Sequence, residues 1–250
     1  MRRFVKLRAI LRVAPYRSAL LRYGVAAAVE HQSALGSLKL RTVIDVGANR
    51  GQFSLLARHC YPGADLISLE PLSAPAARFR KVFAGERQVT LHQSALGLTS
   101  GQASMYVSGH DDSSSLLPIT DEQERLFPGT KAVARETVRV GPLSEFIRRE
   151  SIEEPAMLKL DVQGYELEAL NACEDSLDRF AYICAEASFV ELYRQQVLAG
   201  DLILWLNEHG FALVCVYGTV SDKSGRAIQA DMLFKRKEVA AHLESPAARE

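Results

Sequence analysis

The patterning of this 250-residue chain predicts an α/β fold with a mostly parallel sheet. From residue 42 onward, short apolar runs rich in β-branched residues alternate with helix-length segments, as strands joined by helical crossovers do. The first run ends at a glycine turn that opens a helix, the place where open α/β sheets meet their ligands. The composition is globular, 48% hydrophobic and 24% charged, enough to bury a sizeable core in one domain.

Taken in order, residues 4–14 (FVKLRAILRVA) place Phe4, Leu7, Ile10, Leu11 and Ala14 near one face of a helix, with Arg and Lys filling most of the rest. Pro15 interrupts, and a second helical stretch is expected over about 18–35. Thr42–Val46 (TVIDV) reads as a buried strand, followed by a helix over about 50–60. Asp65–Leu69 is the second strand, 73–84 the next helix and 89–96 the third strand. Residues 102–108 and 135–140 alternate like a hairpin pair, and 142–149 reads as helix. Strands are expected at 156–162, 181–186, 211–217 and 231–235, with helices at about 165–173 and 200–209 separating the first three. The last two lack a helix-length gap and read as a terminal antiparallel hairpin. The expected organisation is a basic helical extension (1–40), a main domain (41–238) and a tail (239–250). The irregular stretch 109–130 (GHDDSSSLLPITDEQERLFPGT) is either a substrate lid or a disordered insertion.

The formal net charge is zero, which argues against nucleic acid as a partner. The zero hides an asymmetry: residues 1–41 carry nine basic groups and one acid, about +8, and the remainder about −8. Residues 1–22 therefore read either as a membrane-surface helix or as a helical cap with a solvated basic face. No apolar run approaches the ~20 residues of a membrane span. The N-terminal apolar stretch is broken by Arg8, Arg12 and Arg17, unlike a signal peptide, so a cytoplasmic location is expected, with peripheral contact at the inner membrane face as an option. The four cysteines lie far apart with no paired spacing, as reduced buried thiols do.

The chemistry concentrates in IDVGANRGQFS, residues 44–54. Glycines at a strand-to-helix turn admit a ligand close to the backbone, and the helix N-terminus offers N–H groups and a positive dipole to an anion. Gly47 and Gly51 make GxxxG, not the GxGxxG of dinucleotide binding, so a smaller anion such as an amino-acid carboxylate is expected. Glu70-Pro71 closes the second strand, where an acidic residue accepts hydrogen bonds from ribose hydroxyls. A carboxylate and a ribose on one ligand suggest S-adenosylmethionine. Phe53 is expected in the core.

IDVGANRGQFS, EP at 70–71, SALG at 94–97 and LKLDVQGYELEAL at 158–170 together resemble FkbM-type methyltransferases dependent on S-adenosylmethionine, over residues 40–236. The resemblance implies a Rossmann-like class I methyltransferase with a seven-stranded sheet, helices on both faces and O-methylation of hydroxyls on sugars, glycolipids or polyketides. By it, Asp45, Gly47, Asn49 and Gly51 surround the methionine part of the cofactor, Glu70 with Pro71 takes the ribose, and Ser94 and Ala95 lie beside the adenine. Gln163 stands where many relatives have Glu; a neutral amide is a poor acid, base or metal ligand there.

Methyl transfer to an alcohol needs alignment and somewhere for the proton to go. Asp161, at the end of its strand, is the first candidate base, although Lys159 on the same strand face could pair with it and blunt its basicity. Glu186 and His110 are further catalytic candidates. Ser115, Lys159, Gln163 and Glu166 are candidate substrate contacts, with helix capping the plainer reading of Glu166. Asp111, Asp161 and Glu166 could offer oxygens to a divalent ion, but nothing in their spacing demands one and no metal is expected. The expected partner is a small-molecule or glycan acceptor, and the sequence fixes no oligomeric state. A methyltransferase for a polyketide or other small molecule, or a cofactor-binding module without turnover, are the alternatives.

Overall fold

The computed structural model describes residues 3–237; the tail read at 239–250 lies outside them. Helices α1 (Arg3–Arg12), α2 (Ala14–Tyr23) and α3 (Gln32–Leu35) precede strand β1 (Thr42–Val46). Then come α4 (Gln52–Cys60), β2 (Asp65–Leu69), α5 (Ser73–Val82), β3 (Val89–His92), β4 (Ala95–Leu96) and β5 (Gly101–Ser108). After α6 (Asp121–Leu126) and β6 (Ala132–Gly141) follow β7 (Ala156–Leu160), α7 (Glu166–Asn171), β8 (Phe180–Ser188), α8 (Ala199–Glu208), β9 (Phe211–Ser221) and β10 (Ala227–Arg236).

Seven strands form the main sheet in the order β3-β2-β1-β7-β8-β10-β9. β3, β2, β1, β7 and β8 run parallel, and β10 runs antiparallel to both of its neighbours. All five residues of β1 and of β7 are buried, as parallel strands covered on both faces require. The alternation of side chains sends Ile44, Leu158, Ile183 and Phe234 to one face, with Leu170, Leu202 and Leu206. Val43, Met157, Cys184 and Leu233 go to the other, with Phe53, Leu56 and Tyr61.

The expected third strand is two. β3 stays in the main sheet, whereas β4 joins a second sheet ordered β4-β6-β5. Between them the Ser94 hydroxyl donates to the Arg139 carbonyl of β6 at 3.0 Å, fixing the chain where it changes sheets. The segment 142–149 holds 3₁₀ turns at Leu143–Glu145 and Arg149–Ser151 instead of a helix, because Arg148 is extended. The stretch 109–130 is folded: Ser115 bridges to Tyr106 and Ile119 to Tyr193, and the Thr120 hydroxyl caps α6 by accepting from the Gln123 N–H.

The N-terminal arm packs into the body. Ile10, Tyr16 and Ala19 share a buried cluster with Leu55, Phe79 and Phe83. The single apolar stripe expected on α1 is split. At 100° per residue, Phe4, Leu7 and Leu11 fall within about 60°, while Ile10 lies about 60° beyond Leu7, toward Lys6. Ile10 is buried, but Phe4, Leu7 and Leu11 are exposed, Phe4 at 87%. The second helical stretch is also broken, because α2 stops at Gly24 in the left-handed region (φ 67°).

Candidate active site

The strand order reverses direction between β1 and β7, and ligands of open α/β sheets bind outside the carboxyl ends of strands at such a point. A cavity of about 260 Å³ lies there. The turn after β1 passes very close to the end of β7: a Cβ on Gly47 would fall 1.9 Å from the Asp161 carbonyl oxygen, at φ +80°. Glycine at 47 is therefore demanded by the join of two strands as well as by any ligand. Gly51 answers to packing, since its Cβ would meet the Phe83 and Phe79 rings of α5, and it does not line the cavity.

Glu70 forms one end of the site. Its Oε2 accepts the Asn49 amide at 2.9 Å and its Oε1 the Leu72 amide at 2.8 Å. Burial pushes its pKa up to about 7 against those two backbone donors. Each oxygen keeps a lone pair for a diol. Pro71, Ser94 and Ala95 continue the wall, with Leu72, Met105 and Leu116 as an apolar surface that suits a flat heterocycle. In the glycine turn, the amides of Gly47 and Ala48 donate to Leu69 and that of Gly51 to Ala48, and the Arg50 amide reaches Asn49 Oδ1. The turn is thus internally satisfied. Gln52 and Phe53, at the N-terminus of α4, line the cavity, and their amides carry no protein partner among the described residues. The groups free to meet an anion are thus at the helix end rather than in the turn. The cavity thus offers carboxylate oxygens at Glu70 and unpaired helix amides at α4.

The other end is polar. Lys159, 2% exposed, pairs with Asp161 Oδ2 at 3.0 Å. Burial alone would lower the lysine pKa, but the Asp161 and Asp45 carboxylates reverse that and keep it charged. Burial acts to raise the Asp161 pKa, and the Lys159 charge overrides it to hold the carboxyl below its usual range. Gln163 is the hub of this cluster. Its Nε2 donates to Asp161 Oδ1 at 2.7 Å and to Glu186 Oε2 at 3.1 Å, and its Oε1 accepts from Tyr193 Oη at 2.7 Å. Its backbone stands at φ +56° and its carbonyl accepts the Ser115 hydroxyl at 2.7 Å, so the network over-determines a strained residue.

The stretch 109–130 runs over both ends of the cavity. Asp111, Asp112, Ser114 and Leu116 line the cavity, and Arg50 clasps Asp111 through two nitrogens, Nε at 2.9 Å. The arm supplies the remaining wall with Lys6, Ala26, Ala28, Glu30 and His31, Lys6 pairing with Glu30 at 2.9 Å.

Of the residues singled out from sequence, Gly47, Asn49, Glu70, Pro71, Ser94, Ala95, Lys159, Asp161 and Gln163 line the cavity. The others stand elsewhere. Asp45 is buried behind the wall, where its Oδ2 accepts from Ser54 at 2.6 Å. Ser115 pins the lid to residue 163. Glu166 accepts the Val162 and Gly164 amides, each at 3.2 Å, and closes its own loop. Glu186 touches the site only through Gln163, its other oxygen held by Gln229 at 2.6 Å. His110 is exposed on the lid, away from the wall. Sequence reasoning missed Lys6, Glu30 and His31, which carry no motif. Phe53 packs in the core as expected but also faces the cavity, a few ångströms from His31 and Lys159. Among the described residues, no group of three or more His, Cys, Asp or Glu side chains is placed to hold a metal ion.

Residues 45–213 match the methyltransferase FkbM domain. A relative described as Methyltransferase 1, from Beauveria bassiana (strain ARSEF 2860), is 23% identical over 148 residues, covering 53% of this chain. The chain spans 58% of that relative's length. Similar solved structures include a magnesium protoporphyrin IX methyltransferase from Synechocystis PCC 6803 with bound S-adenosylmethionine (13% identity, TM-score 0.45, 95% and 86% of the two chains). A precorrin-6y C5,15-methyltransferase from Geobacter metallireducens GS-15 is another (12%, 0.45, 81% and 82%). The domain match runs from Asp45 in the glycine motif into β9, the first strand of the final hairpin, over well more than half of the chain. The chain belongs to the FkbM methyltransferase family, Rossmann-like class I methyltransferases, with S-adenosylmethionine as its cofactor.

Proposed function

We propose that this protein transfers methyl to a hydroxyl oxygen, on a sugar of a glycolipid or other glycoconjugate. The observation that carries this reading is one continuous cavity with Glu70 at one end and the Lys159–Asp161–Gln163 cluster at the other. The bound sulfonium supplies an electrophilic methyl group. What the protein adds is alignment, which contributes up to ~7–11 kcal/mol in ideal cases. Asp161, kept ionised by Lys159, accepts the acceptor O–H and aims its lone pair, while the amide and ammonium groups beside it suit a hydroxyl-rich molecule. Both Asp161 oxygens already have partners, so its role is orientation. Binding of S-adenosylhomocysteine, with NADH and ATP as controls, tests the cofactor half. Labelled donor offered to sugar alcohols, polyketide alcohols, amines and carboxylic acids tests the acceptor half. An alkali-stable methyl ether on a sugar is expected; a methyl amine or a labile ester would overturn the reading. Asp161→Asn should lose turnover and keep homocysteine-ligand affinity.

The membrane contact also belongs here. Phe4, Leu7 and Leu11 are exposed beside Arg8 and Arg12 on the outer face of α1. That arrangement fits the cytoplasmic surface of an anionic bilayer, where each basic group contributes ~1 kcal/mol. Among the described residues no helix is long and apolar enough to cross a membrane. The full chain should float with phosphatidylserine vesicles, and a Phe4→Glu, Leu7→Glu, Leu11→Glu variant should not; a wild-type chain that stays unbound at low salt removes the contact.

A further inference from the structure

We propose that His31, carried by the N-terminal arm, takes the acceptor's proton through Nε2, with Tyr217 and Asp231 as its positioning residues. The assignment rests on the methyl-transfer reading and concerns a residue outside the matched 45–213 region. His31 is 7% exposed and lines the cavity with Lys159, Asp161 and Gln163. Its Nδ1 lies 3.0 Å from Tyr217 Oη and 3.9 Å from Asp231 Oδ1. Its Nε2 has no hydrogen-bond partner among the described residues. The Asp231 carboxyl beside Nδ1 favours the tautomer with the hydrogen on Nδ1, in which Tyr217 accepts and the lone pair sits on Nε2. The ring is clamped edge-on between Phe53 and Tyr217, with centroids 5.3 and 5.6 Å away.

Of the other acids lining the cavity, Asp161 is held by Lys159 and Gln163, Glu30 by Lys6 through Oε1 with its Oε2 buried and unpartnered among the described residues, and Asp111 by Arg50. Asp112, among the described residues, accepts only from the adjacent Ser113 hydroxyl at 3.4 Å. A base oriented through one ring nitrogen, with the other nitrogen unpartnered on a residue that lines the cavity, suits proton abstraction. As an acceptor oxygen's lone pair bonds to the methyl carbon and the old carbon–sulfur pair stays on sulfur, the O–H proton passes to Nε2. The resulting imidazolium returns it to water. The charged and titratable groups around the ring are Lys159 and Asp161 from β7, Tyr217 from β9, Asp231 from β10, and Lys6 and Glu30 from the arm. Burial, then Lys159, pushes the His31 pKa down to about 4, leaving the ring neutral with its lone pair available at pH 7.

The test pairs His31→Asn with His31→Gly in the full chain. The asparagine amide can still reach Tyr217, so that variant keeps the local bond while lacking Nε2. With the acceptor returned by the screen, kcat should fall ~10²–10⁴-fold with unchanged affinity for S-adenosylhomocysteine, and added imidazole should restore turnover to the glycine variant. Independently of any acceptor, nitrogen NMR at pH 7 should show His31 as the neutral Nδ1–H tautomer. Near-wild-type kcat in His31→Asn, no imidazole rescue in a folded glycine variant, or the opposite tautomer would overturn this assignment alone. A wild-type chain that binds the homocysteine ligand but methylates no acceptor would instead overturn the transferase reading, and this assignment with it.

Discussion

Replacing Gln163 by Leu keeps the side chain's size and removes its polar end. Three hydrogen bonds go: two from Nε2 to the Asp161 and Glu186 carboxyls and one from Tyr193 to Oε1. Burial, with Asp161 and Asp231 nearby, pushes the Glu186 pKa well up and keeps it protonated. One bond is therefore to a charged group, about 1.5–3 kcal/mol, and two are neutral, about 0.5–1.5 each, giving about 2.5–6 kcal/mol. The Asp161 side chain is 36% exposed, so water can replace part of what it loses, and about 2–5 kcal/mol is expected. That is a large share of the 5–15 kcal/mol that holds a typical domain together. Gln163→Glu sharpens the test. It would set a third carboxyl between Asp161 and Glu186, tolerable only while it also carries a proton. This variant should approach wild-type stability at pH 5 and lose ~3 kcal/mol or more by pH 8. Urea denaturation at both pH values reads both variants. A loss under ~1 kcal/mol for Leu, or a pH-independent loss for Glu, would refute the network as described.

Three further outcomes follow from the same geometry. Gly47→Ala must push a methyl group into the Asp161 carbonyl, so urea titration should show a loss of at least ~4 kcal/mol, and a loss under ~1 would mean the two strand ends do not approach. Glu70→Gln turns an NH₂ toward a backbone N–H that now donates to a carboxylate; calorimetry should show S-adenosylhomocysteine binding weakened ~10–100-fold, and an unchanged Kd would remove Glu70 from the site. Thermal melts should place the most stable state on the acid side of neutrality. Glu70, Glu166 and Asp231 keep their protons up to about pH 7 in the folded state, against ordinary values of 4.5, 4.5 and 3.8. The native state therefore binds more protons in that window, and stability falls as pH rises through it, by about 2 kcal/mol per group between pH 5.5 and 7. His31 has the opposite sign: its folded pKa of about 4 lies below the usual 6.5, so its contribution is lost as pH falls between those values. Three carboxyls outweigh one imidazole, and a Tm at pH 8 above that at pH 5.5 would contradict the assignment.

The parts of this protein legible in its sequence are those governed by local pattern. β1 and β2 fall at the expected residues because five-residue runs with three apolar, mostly β-branched positions bounded by turns leave little choice. The residues at their carboxyl ends, Gly47, Asn49 and Glu70, reach the cavity because the α/β topology puts strand ends there. Position along a strand does not tell where a side chain settles. Asp45 faces Ser54 across the buried side of the sheet, and Glu186 is separated from the cavity by Gln163. Glu166 shows the same limit, its carboxylate closing the loop before α7. Helical periodicity suggested one apolar stripe on α1, but the body selected the face bearing Ile10 and left the Phe4 face outside. His31 had no signal at all, since its partners lie on the last two strands and only tertiary docking brings them to it.

That docking has a consequence for the order in which the molecule is assembled. The lining of the cofactor end comes from residues between 47 and 116, and the strands β1, β2 and β3 that carry much of it pair with close neighbours in sequence. The wall around His31 waits for Tyr217, 186 residues further on, and for a strand, β10, that inserts between β8 and β9. Contacts so distant along the chain form slowly. During synthesis the arm leaves the ribosome before the body and finds its seat last, so the growing chain acquires a place for its methyl donor well before it has an enclosed place for anything to methylate.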